Sequence, residues 1–345
     1  MSDQMQHITL ASRPTGAPTS DNFALETAPV PTPGPGEVLV RVQYMSLDPY
    51  MRGRMDEGKS YAANIPLGAT MEGGGVGEVI ASNADGFKPG DVAFGPFGWA
   101  THAVAAAKMC RKVDPDAALI TTALGVLGMP GFTGWYALHE IARPKAGETL
   151  VVAAATGPVG SMVGQLAKSL GLRAVGIAGG ADKCALAVDR FGFDACLDHR
   201  AYPDARSLRK ALAGAAPDGI DIYFENVGGK VLEAVIPLMN TFGRIPLCGM
   251  ISWYNAGGLG AGAEAAMSLP ALWRTILVQH LAVQGFIISN HWEHFPAFLA
   301  DVAPKVASGE IKRVEDIAHG IENAPAAFIG LLEGRNVGKQ IVKLI

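Results

Sequence analysis

VVAAATGPVGSMVGQLAKSLGL, residues 151–172, reads as a buried strand, a glycine turn and a helix in immediate succession. The apolar run at its start suits a strand covered on both faces. From Val159 the apolar spacing becomes helical, and Gly171 closes it. Gly157 and Gly160 stand at the spacing of the last two glycines of a GxGxxG loop, and an alanine stands in place of the first. Between a strand and a helix, such a loop is where the pyrophosphate of a dinucleotide binds. Glycines permit the tight turn, backbone N–H groups approach closely, and the helix N-terminus favours negative charge. Gly164, one turn into the helix, reads as a point of close packing on the sheet.

Downstream, AVGIAG, ACLD, IDIYFEN, GRIPLCG and AVQGFII read as strands, with helical stretches such as KCALAVDRFG between most of them. Strands alternating with helices imply βαβ units and a parallel sheet covered on both faces. Upstream, from about residue 36 to 110, the pattern is β-rich. EVLVRVQYMSL alternates, with Val38, Val40, Val42 and Tyr44 on one face and Arg41 and Gln43 on the other. At 345 residues the chain is long for one core. The expectation is an α/β protein with a small β domain and a doubly wound parallel-sheet domain.

The end of the second strand bears on the choice of dinucleotide. A site for NADH usually carries Asp or Glu about 20 residues past the glycine loop, on the ribose 2′-hydroxyl. Here the stretch is GIAGGADKC, which ends the strand in Ala178, Gly179 and Gly180 and then offers Lys183. A lysine suits a 2′-phosphate. Asp182 complicates this reading, but NADPH is favoured.

Composition excludes several classes. Hydrophobic residues make up 49% and charged residues 17%, the balance of a packed globular chain. With 28 Lys+Arg against 32 Asp+Glu and no basic block, nucleic acid has no electrostatic footprint. No signal-type leader and no membrane-length apolar run is read, and Cys110, Cys184, Cys196 and Cys248 form no CxxC pair. A reduced, cytoplasmic protein is expected.

SLDPYMRGRM, AAATGPVGSMVGQLAK, AGGADK, YFENVGG, FGRIPLCGMISWYN and NAPAAFIGLLEGRNVGKQIVK together resemble the medium-chain dehydrogenase/reductase superfamily. Within it they resemble the zinc-independent prostaglandin reductase, leukotriene hydroxydehydrogenase and alkenal double-bond reductase group, curcumin reductase-like enzymes included. The resemblance implies a GroES-like catalytic domain over 1–128, a Rossmann NADP-binding domain over 129–309, and a segment 310–345 returning to the first. It implies that Gly157, Pro158, Val159 and Gly160 cradle the pyrophosphate and that Lys183 meets the 2′-phosphate. Cys248, Gly249, Met250, Ile251, Ser252 and Tyr254 would line the adenosine and nicotinamide side, with Phe286, Ile287 and Ile288 at the nicotinamide. Asn226 and Asn336 would hydrogen-bond the cofactor. Where the family often has tyrosine, LDHR puts His199 beside Arg200; either can meet a phosphate, the histidine better when protonated. A homodimer through Rossmann edge strands is also implied.

Zinc-dependent relatives carry a cysteine where this chain has SLDPYMR and a His-Glu pair where it has GATMEGGG. Met71 before Glu72 supplies no imidazole, and His291 and His294 have no further ligand near in sequence. No metal is expected. Asp48-Pro49 reads as a helix N-cap and first residue, with Tyr50 in the first turn. Tyr50 and Tyr254 are the candidates for a hydrogen bond to developing oxyanion charge. Glu225, ending an apolar strand, is read either as facing the crevice where α/β ligands bind or as a solvated loop residue. The expected activity is NADPH-dependent reduction of a carbon–carbon double bond conjugated to a carbonyl, in an enone or enal. A zinc-free quinone reductase or alcohol dehydrogenase, and a non-catalytic NADPH-binding protein, are the alternatives.

Overall fold

The structure, a computed structural model, describes residues 4–345 apart from 59, 258, 259, 261 and 266. The chain opens with β1 (Gln4–Leu10), β2 (Phe23–Pro29), β3 (Glu37–Ser46), the short helix α1 (Met51–Arg54), β4 (Gly75–Ser82), β5 (Val92–Gly95), β6 (His102–Ala106) and β7 (Arg111–Val113). Then come α2 (Met129–Tyr136), β8 (Thr149–Ala153), α3 (Pro158–Ser169), β9 (Arg173–Ala178), α4 (Ala181–Asp189), β10 (Ala195–Asp198), α5 (Ala205–Ala215), β11 (Ile220–Phe224), α6 (Gly229–Val235) and β12 (Met239–Leu247). The last elements are α7 (Leu269–Val278), β13 (Ala282–Gly285), α8 (Phe295–Ala307), β14 (Glu315–His319), α9 (Ala324–Leu332) and β15 (Lys339–Lys343).

Two compact units result. One gathers the residues up to Gly128, a short piece beginning at Tyr254, and Glu315–Ile345; the other holds Met129–Trp253 and Gly260–Val314. In the first, β3 organises the sheet: β4 lies on one edge, while β6 and the chain's last strand, β15, share the other. Val38, Val40 and Val42 are buried as the alternation predicts. The alternation then fails, because the register against β4 shifts between Val42 and Tyr44. An extra residue in one strand turns the following side chains to the opposite face. Met45 and Ser46 are therefore buried and Tyr44 only partly so. A second core beside the sheet is built on Trp99, stacked on Phe23 at 5.6 Å, with Phe328 of α9 edge-on at 5.5 Å.

The second unit is a six-stranded, all-parallel sheet in the order β10-β9-β8-β11-β12-β13. Every residue of β8 is buried, as its apolar run requires of a central parallel strand. Leu208 and Leu212 of α5 and Val231, Ala234 and Val235 of α6 pack with Val151, Ile177 and Tyr223 in one core. The chain winds outward in both directions from the β8–β11 pair, which places a crevice beyond the carboxyl ends of those two strands.

Candidate active site

The glycine turn lies at that crevice. Ala154 sits at φ 54°, a left-handed conformation that glycine adopts freely and alanine only at a cost of about 1–2 kcal/mol. Gly160 answers to the loop itself, since a Cβ there would stand 2.3 Å from the Ala154 carbonyl oxygen. Gly164 answers to packing, as read: its Cβ would fall 1.9 Å from the Phe193 ring. Gly157, the N-cap of α3 at an ordinary φ of −69°, is under the least internal demand. Pro158 has no N–H, and the first-turn N–H groups of Val159 and Gly160 have no acceptor within the helix.

A cationic corner stands at the end of β9. A Cβ on Gly179 would lie 3.0 Å from Arg200 Nε and 3.1 Å from His199 Nε2, so both side chains close over that strand end. Asp198 fixes the corner, accepting the N–H groups of Gly180 (2.8 Å) and Arg200 (2.9 Å). Lys183 and Lys230 both bear on His199. Burial first, then Lys230 and Arg200, hold its imidazole below the ordinary histidine range. In the free protein His199 is therefore neutral near pH 7, and the positive charge of the corner belongs to the lysines and Arg200. Lys230 is the member that sequence reading missed. It donates to the carbonyls of His199 (2.8 Å) and Tyr202 (2.5 Å) from the first turn of α6. A lysine there works against the helix dipole, and that was the available signal.

The segments from Glu225 to Gly229 and from Cys248 to Trp253 are knitted together. Asn226 donates its amide to the Ala153 carbonyl at 2.9 Å, which ties it to the start of the glycine turn. The N–H groups of Ile251 and Ser252 bond the carbonyls of Asn226 (3.2 Å) and Val227 (3.0 Å), and Ser252 Oγ also donates to Val227. Cys248 and Gly249 donate to the Glu225 carbonyl at 3.0 and 3.1 Å. Burial, then the neighbouring Glu225, pushes the Cys248 thiol up to about 12. Glu225 is fully buried, so the solvated-loop reading fails. Phe286, after β13, packs on the Tyr136 ring at 6.0 Å, and Ile287 and Ile288 follow it, partly buried. His291 is stacked on Tyr136 at 4.3 Å and its Nδ1 is bonded to the Tyr136 hydroxyl at 3.0 Å. Among the described residues, no group of three or more His, Cys, Asp or Glu is placed to hold a metal.

The remaining candidates, Tyr50, Tyr254 and Asn336, lie in the β unit. The expected cap at Asp48 is replaced by something stronger. Lys339 Nζ, buried at the start of β15, donates to Asp48 Oδ1 at 2.7 Å and to the Leu47 carbonyl at 2.6 Å, and Ser46 Oγ donates to the other carboxylate oxygen. Tyr50 becomes the N-cap of α1. Burial first, then Asp48 and Glu72, raise its phenol well above the ordinary tyrosine range, with Arg54 opposing. Arg54 lies over both Tyr50 (5.7 Å) and Tyr61 (4.8 Å) and pairs with Glu72 at 3.5 Å. Tyr61, Arg54 and Lys339 were not anticipated; only the assembled sheet brings them to Tyr50 and Asp48. Tyr254 lies in a 3-10 stretch, Ile251–Ala256, partly buried. Asn336 Nδ2 bonds the Gly338 carbonyl at 2.8 Å, which leaves its carbonyl oxygen as its remaining side-chain acceptor.

A doubly wound parallel sheet with a glycine turn at its crevice and a cationic corner beside it defines a dinucleotide-binding α/β protein, here joined to a separate β unit. Comparison with known proteins agrees. Residues 6–113 match the family model described as the N-terminal domain of oxidoreductase, and residues 158–303 the one described as zinc-binding dehydrogenase. The chain is 48% identical to the NADPH-dependent curcumin reductase of Escherichia coli (strain K12), over 97% of this chain and 95% of that one. It is 39% identical to the NADP(+)-dependent 2-alkenal reductase of Nicotiana tabacum, over 98% and 96%. The crystal structure of CurA from Vibrio vulnificus in complex with NADPH superposes with a TM-score of 0.92 at 48% identity, covering 99% of both chains. The chain belongs to the medium-chain dehydrogenase/reductase superfamily, in its zinc-independent reductase group.

Proposed function

We propose that this chain reduces the carbon–carbon double bond of α,β-unsaturated ketones and aldehydes with NADPH. The observation that carries the reading is the cationic corner of Lys183, Arg200 and Lys230 around His199, beside a glycine turn, in a chain whose β unit offers a firmly protonated phenol at Tyr50. The names of the relatives, a curcumin reductase and a 2-alkenal reductase, support the substrate class.

The residues fit the dinucleotide. Gly157, Pro158, Val159 and Gly160 hold its pyrophosphate, and Lys183, with His199 and Arg200, its 2′-phosphate. Asn226, the Cys248–Ser252 segment, Tyr254, Phe286–Ile288 and Asn336 complete the contacts. The reduced nicotinamide supplies a hydride. The protein orients the enone, excludes water, and holds the enolate oxygen with the hydroxyls of Tyr50 and Tyr254. A hydride added at a carbonyl carbon would leave full charge on one oxygen, which calls for a metal or a strong acid. At the β-carbon the charge spreads over an enolate, for which neutral hydroxyl donors suffice.

The domain limits follow the same reading: a GroES-like part over 1–128, a Rossmann domain over 129–309, and a returning segment over 310–345. A homodimer is supported by the edge of the parallel sheet. All of β13 is exposed, and Leu269, Trp273 and Leu277, spaced by four along one face of α7, are 65%, 61% and 76% exposed. No helix among the described residues is long and apolar enough to cross a membrane, and all four cysteines are free thiols, in keeping with a reduced compartment.

NADPH carrying deuterium at the transferred position tests the chemistry. With an α,β-unsaturated ketone the expected product is the saturated ketone with the label on its β-carbon. An allylic alcohol labelled at the carbinol carbon would overturn the assignment.

A further inference from the structure

Glu225 immediately follows β11 at the mouth of the parallel sheet. Phe224 is aligned with Val152 of β8, so Glu225 stands beside Ala153, the last residue before the glycine turn. Its side chain and main chain hold two loops at once. Oε1 accepts the N–H groups of Val227 at 2.6 Å and Gly228 at 2.9 Å, while the carbonyl accepts those of Cys248 and Gly249. Oε2, though buried, has no hydrogen-bond partner among the described residues.

Few other titratable groups face it. The Tyr223 hydroxyl lies alongside and favours the carboxylate less than the N–H groups of Gly228 and Val227 do. The Cys248 thiol approaches from the loop after β12. Strand β8, Thr149–Ala153, brings no titratable side chain. On β12, Arg244 is paired with Glu148; on α6, Lys230 is bonded to the carbonyls of His199 and Tyr202, and Glu233 Oε1 accepts the Met267 N–H at 3.3 Å. No cation among these neighbours meets the carboxylate directly.

Resting on the cofactor reading above, we propose that Glu225 is a positioning residue that couples dinucleotide affinity to protons. Its neutral form accommodates phosphates at the adjoining glycine turn, and its ionised form opposes them. Strand spacing sets the distance scale at about 5 Å per strand, inside a Debye length of about 8 Å. Burial lifts the carboxyl to about 7, outweighing the N–H bonds from Gly228 and Val227. A phosphate anion arriving nearby raises it further, because like charge disfavours ionisation. Binding then takes up a proton. By linkage, affinity is level below about pH 7 and falls as pH rises above it, by at most tenfold per pH unit.

The test is dinucleotide affinity from pH 6 to 8.5, measured by calorimetry in two buffers of different ionisation heat. The probes are NADPH and NADH, the latter lacking a 2′-phosphate and so blind to His199 titration against that group. Wild-type protein should bind both dinucleotides about three- to tenfold more weakly at pH 8.5 than at pH 6.5, with proton uptake at pH 7.5. Glu225→Gln, which keeps the size and one acceptor oxygen, should bind NADH without slope or uptake; His199→Gln should keep both. Retention of the NADH slope in Glu225→Gln, or a wild-type slope with NADPH alone, overturns the inference while the cofactor reading stands. Failure of folded wild-type protein to bind either dinucleotide overturns both.

Discussion

Lys183 occupies the first turn of α4, where a cation is disfavoured by the helix dipole, and it stays close enough to lower the proton affinity of His199. A side chain kept in so unfavourable a place fits a phosphate ligand. Lys183→Ala should raise the KM for NADPH about ten- to a hundredfold, the about 1.5–3 kcal/mol of one charge-assisted bond, and leave that for NADH nearly unchanged. Equal losses with both would dissociate Lys183 from the 2′-phosphate. Tyr50 presents the opposite case, a group defined by the proton it keeps. Burial, Asp48 and Glu72 all disfavour its ionised form. Its hydroxyl therefore keeps its proton and, on the proposed mechanism, kcat should show no tyrosine ionisation up to pH 10. Tyr50→Phe should lower kcat by about 10–1000-fold if that hydroxyl holds the enolate. A fall of less than threefold would reduce Tyr50 to a wall of the substrate site.

At the scale of elements, the parallel sheet was legible because short apolar runs alternate with helical stretches, some of them closed by glycine. Gly171 and Gly192, both at positive φ, mark two of those ends. The β unit was less legible. The bulge in β3 is a property of its pairing with β4, so Tyr44 and Met45 exchanged roles with no warning in their own alternation. Asp48-Pro49 looked like a helix start because local sequence cannot reveal a lysine that arrives almost three hundred residues later. That lysine defines a prediction. Lys339→Met should strip Asp48 of its buried counter-charge and cost about 3–5 kcal/mol, seen as a lowered midpoint in urea unfolding. The double variant Asp48→Leu, Lys339→Met replaces the pair by apolar groups and should recover most of that loss. A double variant no more stable than the single one would show that the carboxylate has other essential partners.

The whole molecule divides its labour between two compact units, each with a core of its own. The sequence revealed this division through its change of rhythm near residue 130, from alternating strands to strand–helix repeats. The proposed ligands of the glycine turn, Gly157 to Gly160, could be named from the sequence because that loop is local to one strand–helix junction. The surroundings of the two tyrosines were not legible in the same way, since Tyr50 depends on Arg54, Tyr61 and Glu72 assembled from three segments. The consequence is kinetic. On the proposed reading, Lys183 would act within the parallel-sheet unit on cofactor affinity, and Tyr50 from the β unit on charge that develops during reaction. Lys183→Ala should leave kcat at saturating NADPH within about twofold of wild type, and Tyr50→Phe should leave the NADPH dissociation constant within the same margin. Changes at sites that act independently add to within about 0.3–0.5 kcal/mol. In the double variant the two losses in kcat/KM for NADPH should therefore multiply to within about twofold. A product that departs from this by tenfold or more would mean that the phosphate contact and the oxyanion donor act as one unit, with cofactor seating and substrate activation coupled.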